Sequence, residues 1–275
     1  MRQDHRLPQQ RFELKYLVDE SLTGGIRDFI SSYLELDEYG ADRPDFAYPV
    51  HSLYLDSDGL HTHYETVNGS KNRYKLRLRY YDDAPASPVF FEVKGRVDNC
   101  ILKRRCGVRR DAIGPLLHGQ WPAHDQFVTP EARHFAALER FLLLMHSINA
   151  RPKLRNSYLR EAWVSPHDNS VRVTFDRQVR VEPQADFALT GPMRAPTLVY
   201  SPLVILELKF TDRFPNWFIE LVQCFNLMRS AAAKYSGAVL LLGESRFQSG
   251  SFRDWRPAAD PAVAAEAATL TLAEY

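Results

Sequence analysis

The sequence predicts an α+β fold, an eight-stranded antiparallel β tunnel barrel with a charged interior and helices packed outside. Three observations lead there. In Arg73-Tyr74-Lys75-Leu76-Arg77-Leu78-Arg79-Tyr80 four cations alternate with four apolar or aromatic residues. Successive side chains of a β-strand point to opposite faces, so one face carries a positive row and the other packs as core. Eight strand-like stretches follow one another along the chain, and seven of them carry ionisable residues at alternate positions. Their opposite faces are uniformly apolar and need a cover of helices, which a closed barrel permits and a sandwich with one wet face does not.

The stretches are justified in order. Residues 11–18 alternate Arg11, Glu13 and Lys15 with Phe12, Leu14, Tyr16 and Val18, and Asp19 is placed to cap a helix running to about residue 34. Residues 37–49, acidic and aromatic with prolines, read as a loop before a strand at 50–56. A short helix at 60–67 stops at Asn68-Gly69 and leads to the strand at 73–80. Strands at 89–95 and 101–110 follow, joined through Val97-Asp98-Asn99, with Glu92 and Lys94 on one face of the first and Lys103 and Arg105 on one face of the second. Helices are expected at 111–118 and 130–149, the latter with Phe135, Leu138, Phe141, Leu142 and Met145 as a core stripe at helical spacing. A hairpin of strands at 153–165 and 170–180 turns at Pro166-His167-Asp168-Asn169 and directs Tyr158, Arg160, Arg172, Thr174 and Asp176 inward. Residues 182–201 read as an irregular loop. The last strand, 203–210, separates Glu207 and Lys209 from Leu206, Leu208 and Phe210. Pro215 opens an amphipathic helix, 231–242 continues as helix, and the Ala-rich end lacks core signals. The expected organisation is one domain over 10–245 and a tail over 246–275.

Composition bounds the function. The chain has 275 residues, 45% hydrophobic and 25% charged, with a formal net charge of +1. A cationic site must therefore come from local sorting of charge, and coating of nucleic acid is excluded as a role. The three cysteines, Cys100, Cys106 and Cys224, form neither a disulfide framework nor a zinc site and fit a reducing compartment. The first residues carry no apolar signal region and no stretch approaches 18 apolar residues, so a cytoplasmic protein without a membrane segment is expected. Neither a G-x-x-x-x-G-K-[ST] loop nor a G-x-G-x-x-G turn is present. His61 and His63, two residues apart on a short helix, face different directions and are discounted as a metal pair.

Taking Arg11, Lys15, Arg73, Lys75, Arg77, Arg79, Lys94, Lys103, Arg105, Arg160, Arg172 and Lys209 as inward sets twelve cations against four acids, Glu13, Glu92, Asp176 and Glu207. At about 6 Å and an effective dielectric near 20, each adjacent like pair repels by roughly 3 kcal/mol, so such a lumen calls for an anion. A chain of phosphates matches it, because arginine grips phosphate with a planar fork and lysine as a point charge. Glu207, then Glu13 and Glu92, are the candidate ligands for Mg²⁺ or Mn²⁺. Each could instead be an ion-pair partner of a neighbouring lysine. On this reading Glu207→Gln and Arg77→Ala leave the empty barrel folded or more stable.

A set of short segments in order, Phe12-Glu13-Leu14-Lys15-Tyr16, Ser52-Leu53-Tyr54-Leu55-Asp56, the Arg73 to Arg79 row, Phe91-Glu92-Val93-Lys94, Lys103-Arg104-Arg105, Tyr158-Leu159-Arg160, Arg172-Val173-Thr174-Phe175-Asp176, Leu206-Glu207-Leu208-Lys209 and Lys234-Tyr235-Ser236, resembles the VTC domain, the catalytic domain of vacuolar transporter chaperone polyphosphate polymerases. The resemblance runs from about residue 10 to 240 and places the chain among the triphosphate tunnel metalloenzymes. It implies a divalent metal, Mn²⁺ or Mg²⁺, on Glu207, and phosphate contacts from Lys15, Arg77, Arg79, Lys94, Lys103, Tyr158, Arg160, Arg172 and Lys234. Together with the inward pattern this makes Arg77, Arg79, Lys94, Arg160 and Arg172 the candidate catalytic residues. Lys15, Lys75, Lys103, Arg105, Tyr158, Lys209 and Lys234 are the candidate phosphate-binding residues. The implied activity is transfer of the ATP γ-phosphoryl group to polyphosphate, with phosphate or pyrophosphate as alternative primers. The alternatives are a CYTH-like inorganic or nucleoside triphosphatase and a silent receptor for polyphosphate or inositol phosphates. Two departures stand out: Arg11 occupies the first position of the E-x-E-x-K motif of related triphosphatases, and Ala233 replaces the serine that often precedes the late lysine. A stand-alone domain is expected, without the SPX sensor or membrane anchor of fungal subunits, and a membrane-associated partner is left unidentified.

Overall fold

The computed structural model describes residues 11–248 except Asn99 and Asn169. Parts of both expected turns and the bulk of the expected tail lie outside the described residues. The strands are β1 (Arg11–Val18), β2 (Glu35–Leu36), β3 (Ala47–Asp56), β4 (Arg73–Tyr80), β5 (Pro88–Val97), β6 (Cys100–Arg109), β7 (Arg151–Val164), β8 (Val171–Pro183), β9 (Thr197–Leu198) and β10 (Val204–Thr211). The helices are α1 (Thr23–Ile30), α2 (Glu38–Ala41), α3 (His61–Val67), α4 (Ile113–Leu117), α5 (Ala132–Ser147), α6 (Trp217–Cys224) and α7 (Lys234–Leu242). Among the described residues no helix is long and apolar enough to cross a membrane.

The sheet runs β2-β7-β3-β4-β5-β6-β1-β10-β8-β9, every pairing antiparallel, and a β7–β8 pairing closes its eight long strands into a ring. Closure creates an inside, although β1 and β6 meet only at Arg11 and Ile101 and the β1 edge beyond is met by Arg229 and Ser230. Paired residues share a face, so the register sorts the charges: Lys15 lies opposite Glu207, Glu13 opposite Lys209, Arg77 opposite Glu92, Lys94 opposite Lys103 and Arg160 opposite Asp176. The alternate residues face outward. Leu76, Leu78, Phe91 and Cys106 pack under α5, whose Phe141 ring meets Phe91 edge-on at 5.1 Å. Leu206, Leu208, Val173 and Phe175 pack with Ile26 and Ile30 of α1 and Phe218 and Leu221 of α6.

Three local outcomes differ from the sequence expectation. The carboxylate of Asp19 accepts hydrogen bonds from the Ser21 backbone and hydroxyl and starts one turn of 3-10 helix, after which α1 ends at Ile30, before residue 34. The segment expected as loop holds α2, because Asp37 Oδ1 accepts from the Tyr39 N–H at 2.9 Å and caps it. Thr197–Leu198 within the second expected loop pairs with β8. Gly69, at φ +70°, ends α3 in the left-handed conformation that glycine adopts without strain. At the carboxyl end Phe247 is buried and its carbonyl accepts from Lys153 Nζ at 2.8 Å.

A cationic lumen as candidate functional site

The lumen is built around four carboxylates, each held by several cations. Glu207 is 4% exposed and lies 3.2 Å from Lys15, 2.6 Å from Lys209, 2.9 Å from Lys234 and 3.3 Å from Arg160. Asp176 binds both ends of the Arg160 fork at 2.7 Å and meets Lys234 at 2.5 Å. Glu13 takes Lys15 and Lys94, and Glu92 takes Arg77, Lys103 and Arg105. Burial opposes every one of these charges, yet Lys209, Lys234, Lys15 and Arg160 hold Glu207 ionised well below the usual carboxylate range. Burial likewise opposes ionisation of Glu92, and Arg77 heads the cations that overcome it.

Cations nevertheless outnumber acids. Lys75 and Arg79 form no ion pair among the described residues; Arg79 Nη2 donates to the Tyr158 hydroxyl at 3.2 Å and its Nε has no hydrogen-bond partner there. Burial, then Lys15, Lys94 and Arg73, push the Lys75 ammonium down to about 7. Burial pushes Lys103 down to about 7 and Lys209 to about 8, the nearby acids recovering only part of the loss. A buried surplus of positive charge with depressed pKa values marks the lumen as a candidate functional site, one that an anion would stabilise.

The two ends of the barrel differ. At one end the chain before α7 crosses the opening: Lys15 Nζ donates to the Ala232 carbonyl at 3.1 Å, and the Ser230 N–H donates to the Lys15 carbonyl. Tyr235 of α7 stacks on Tyr54 at 5.1 Å and donates to Asp56, so Lys234 is anchored inside. At the other end Arg172 donates to the Tyr48 hydroxyl at 3.3 Å and to Asp37, while Arg105 lies 3.4 Å over the Phe90 ring. Gly107 makes that second arrangement possible, since a Cβ there would stand 2.8 Å from the Phe90 ring.

The structure gathers all the proposed phosphate and metal residues in or at the rim of this lumen. Arg11 is different: it opens β1 exposed to solvent and does not add to the inward charge. Lys234 joins the ring through a helix, where strand alternation has no bearing. Sequence reasoning missed Tyr48 and Tyr54 as lumen groups, although the period-two series Tyr48, Val50, Ser52, Tyr54 carries the signal. Among the described residues no group of three or more His, Cys, Asp or Glu side chains gathers to hold a metal ion. Glu13 is engaged by two cations and Glu92 by three, and Glu207 by four, Lys15, Lys209, Lys234 and Arg160. A divalent ion such as Mg²⁺ or Mn²⁺ carried on a phosphate ligand would need only one such carboxylate, because these ions take few protein ligands and complete their shell with phosphate oxygens and water.

The sequence model of the VTC domain matches residues 10–242. Two curated relatives, both Vacuolar transporter chaperone complex subunit 4, come from Trypanosoma cruzi and Trypanosoma brucei brucei; each is 26% identical and aligns with 72% of this chain. The chain spans 29% of the length of those relatives. Among solved structures, a protein of Pyrococcus horikoshii has a TM-score of 0.43 at 11% identity, covering 85% of this chain and 99% of its own.

Proposed function

The chain belongs to the VTC domain family, and from that premise we propose that it is a polyphosphate polymerase, transferring the γ-phosphoryl group of ATP to the end of a polyphosphate chain. The observation that carries the reading is the surplus of lumen cations, with Lys75 and Arg79 outside any ion pair among the described residues. Phosphoryl transfer asks mainly for positioning and for stabilisation of charge on the equatorial oxygens. Arg77, Arg79, Arg160 and Arg172 hold the β- and γ-phosphates, and Lys94, Lys103 and Lys234 follow the path of the chain. An oxygen of the terminal acceptor phosphate attacks the γ-phosphorus, the bond to the bridging β,γ oxygen breaks, and ADP leaves with that electron pair. The acceptor needs no strong base, since a terminal phosphate with a pKa of about 6 is already ionised at neutral pH. A divalent ion on Glu207 would neutralise charge on the phosphate oxygens. With three cysteines free of disulfides, we place the protein in the cytoplasm.

The test is incubation of the protein with ATP and Mn²⁺, with and without pyrophosphate, and separation of products by chain length. Long polymer is the expected product. Phosphate release without polymer would assign the hydrolase reading instead, and binding without turnover the receptor reading.

A further inference from the structure

We propose that Lys75 is a carbon dioxide site, binding CO₂ covalently as a carbamate that gives the empty lumen an anion of its own until a phosphate chain displaces it. The displacement rests on the reading of the lumen as a phosphate site, whereas the carbamate rests on the surroundings of Lys75. The other lumen lysines meet acids: Lys15 pairs with Glu13 and Glu207, Lys94 with Glu13, Lys103 with Glu92, Lys209 with Glu207, and Lys234 with Asp176 and Glu207. Lys75 has no such partner among the described residues. Its neighbour across the β4–β5 register is Lys94, while Lys15 acts on it from β1 and Arg73 from its own strand. Asp56 acts on it from β3, but that carboxylate already accepts from the backbone N–H groups of Ser57, Thr62 and His63, from the Thr62 hydroxyl and from Tyr235.

An amine withdrawn from water and set among cations is a nucleophile, because both conditions favour its uncharged form. With Lys75 held at about 7, roughly nine-tenths of it is uncharged at pH 8. Its Nζ lone pair attacks the carbon of CO₂, the N–C bond forms, the π pair of one C=O bond moves onto oxygen, and a proton leaves Nζ to water. An uncharged amine thereby becomes an anion among Lys15, Lys94 and Arg73, and it offsets their mutual repulsion. Lys103 and Lys209 are pushed down as well, to about 7 and about 8. Their conversion would set a carbamate against Glu92, 3.0 Å from Lys103, and against Glu207, 2.6 Å from Lys209, where like charges repel. Ion pairing therefore singles out Lys75. A polyanion in the lumen reverses the balance: it favours the ammonium and repels the carbamate, so the N–C bond breaks, the amine takes up protons and CO₂ leaves.

The experiment records carbon-13 NMR spectra of the full chain at pH 8 in carbon-13 bicarbonate, which supplies dissolved CO₂, for the wild type, Lys75→Met and Lys75→Arg. A carbamate signal is expected in the wild type and in neither variant. Arginine keeps its charge at every working pH and cannot form a carbamate, so Lys75→Arg decides the matter even if Lys75→Met fails to fold. When half of the protein carries the carbamate, the apparent affinity for inorganic tripolyphosphate should fall about two-fold in the wild type and stay unchanged by bicarbonate in Lys75→Arg. Saturating tripolyphosphate should erase the signal. No signal in the wild type, or one that survives both substitutions, overturns the carbamate. A signal that persists with tripolyphosphate bound overturns the displacement. Failure of the wild type to bind tripolyphosphate overturns the lumen reading and leaves the carbamate standing.

Discussion

Glu207 touches four cations, and that decides what its replacement does. The strand pattern alone treats glutamine at 207 as harmless or stabilising, because it keeps the shape and removes a charge from a strained lumen. The contacts reverse the sign: Glu207 offsets repulsion among Lys15, Lys209, Lys234 and Arg160. Glu207→Gln is expected to abolish polymer formation and to lower stability by about 2 to 4 kcal/mol at pH 7, read as a shifted urea midpoint. Its folded pKa is depressed, so its contribution is present above the unfolded carboxylate value and lost as pH falls; the gap between the two proteins should close under acid conditions. Arg77→Ala is reversed for the same reason, since it strips a partner from buried Glu92. Lys75 is where relief of repulsion belongs. Burial and three neighbouring cations hold it at about 7, so its charged form costs stability in full below that value, and the cost fades as pH rises toward the ordinary lysine range. Lys75→Met should therefore stabilise the empty protein by about 2 to 4 kcal/mol at pH 6 and by almost nothing at pH 10.5. A lower melting temperature for this variant at pH 6 would refute the assignment.

At the scale of elements, α3 and α7 are tied by one carboxylate. Asp56, fully buried at the end of β3, accepts from the backbone N–H groups of Ser57, Thr62 and His63, from the Thr62 hydroxyl at 2.9 Å and from Tyr235 Oη at 2.8 Å. A second tie joins Glu244, just past α7, to His63 and Tyr64 of α3. These bonds set where α7 begins and so where Lys234 enters the lumen. Tyr235→Phe keeps the stack on Tyr54 and loses one bond to a charged acceptor, at an expected cost of about 1.5 to 3 kcal/mol in chemical denaturation. With α7 less firmly docked, the KM for ATP should rise more than kcat falls; an unchanged KM would mean that Lys234 is placed by its own ion pairs alone. On the opposite side of the barrel α1 is clamped through Arg27, which binds buried Glu161 with both ends of its fork while Arg177 and Trp163 fill the remaining acceptor positions. Neither clamp is visible as a motif, since each joins residues far apart in the chain.

For the molecule as a whole, the lumen is expected to couple anion binding to proton uptake. Lys75 and Lys103 at about 7 and Lys209 at about 8 are partly neutral in the empty barrel just above neutral pH. A polyanion among them favours the charged forms, so ATP, itself fully ionised at pH 8, should bind with uptake of about one proton or more. Titration calorimetry in buffers of different ionisation enthalpy measures this directly. Proton release, or none, would place these lysines away from the anion. By the same linkage affinity should fall as pH rises through 7 to 9 and fall again with added salt.

Alternation of charged and apolar residues was enough to locate the eight long strands, to separate inner from outer faces on the charged ones apart from Arg11, and to mark the interior as cationic, because the period of a strand is a local property written in consecutive side chains. Partners were beyond its reach. That Glu207 meets Lys15 and Arg160, that Asp176 shares Lys234 with it, and that Lys75 meets no acid among the described residues follow from strand order, register and closure of β7 on β8, which depend on how distant segments pair. What the helices bring to the lumen lay outside that period: α7 delivers a lysine to Glu207, and Asp37 caps α2, through contacts that no spacing along the chain records. A strand's period chooses a side for each residue, and only the closed barrel decides what waits on that side.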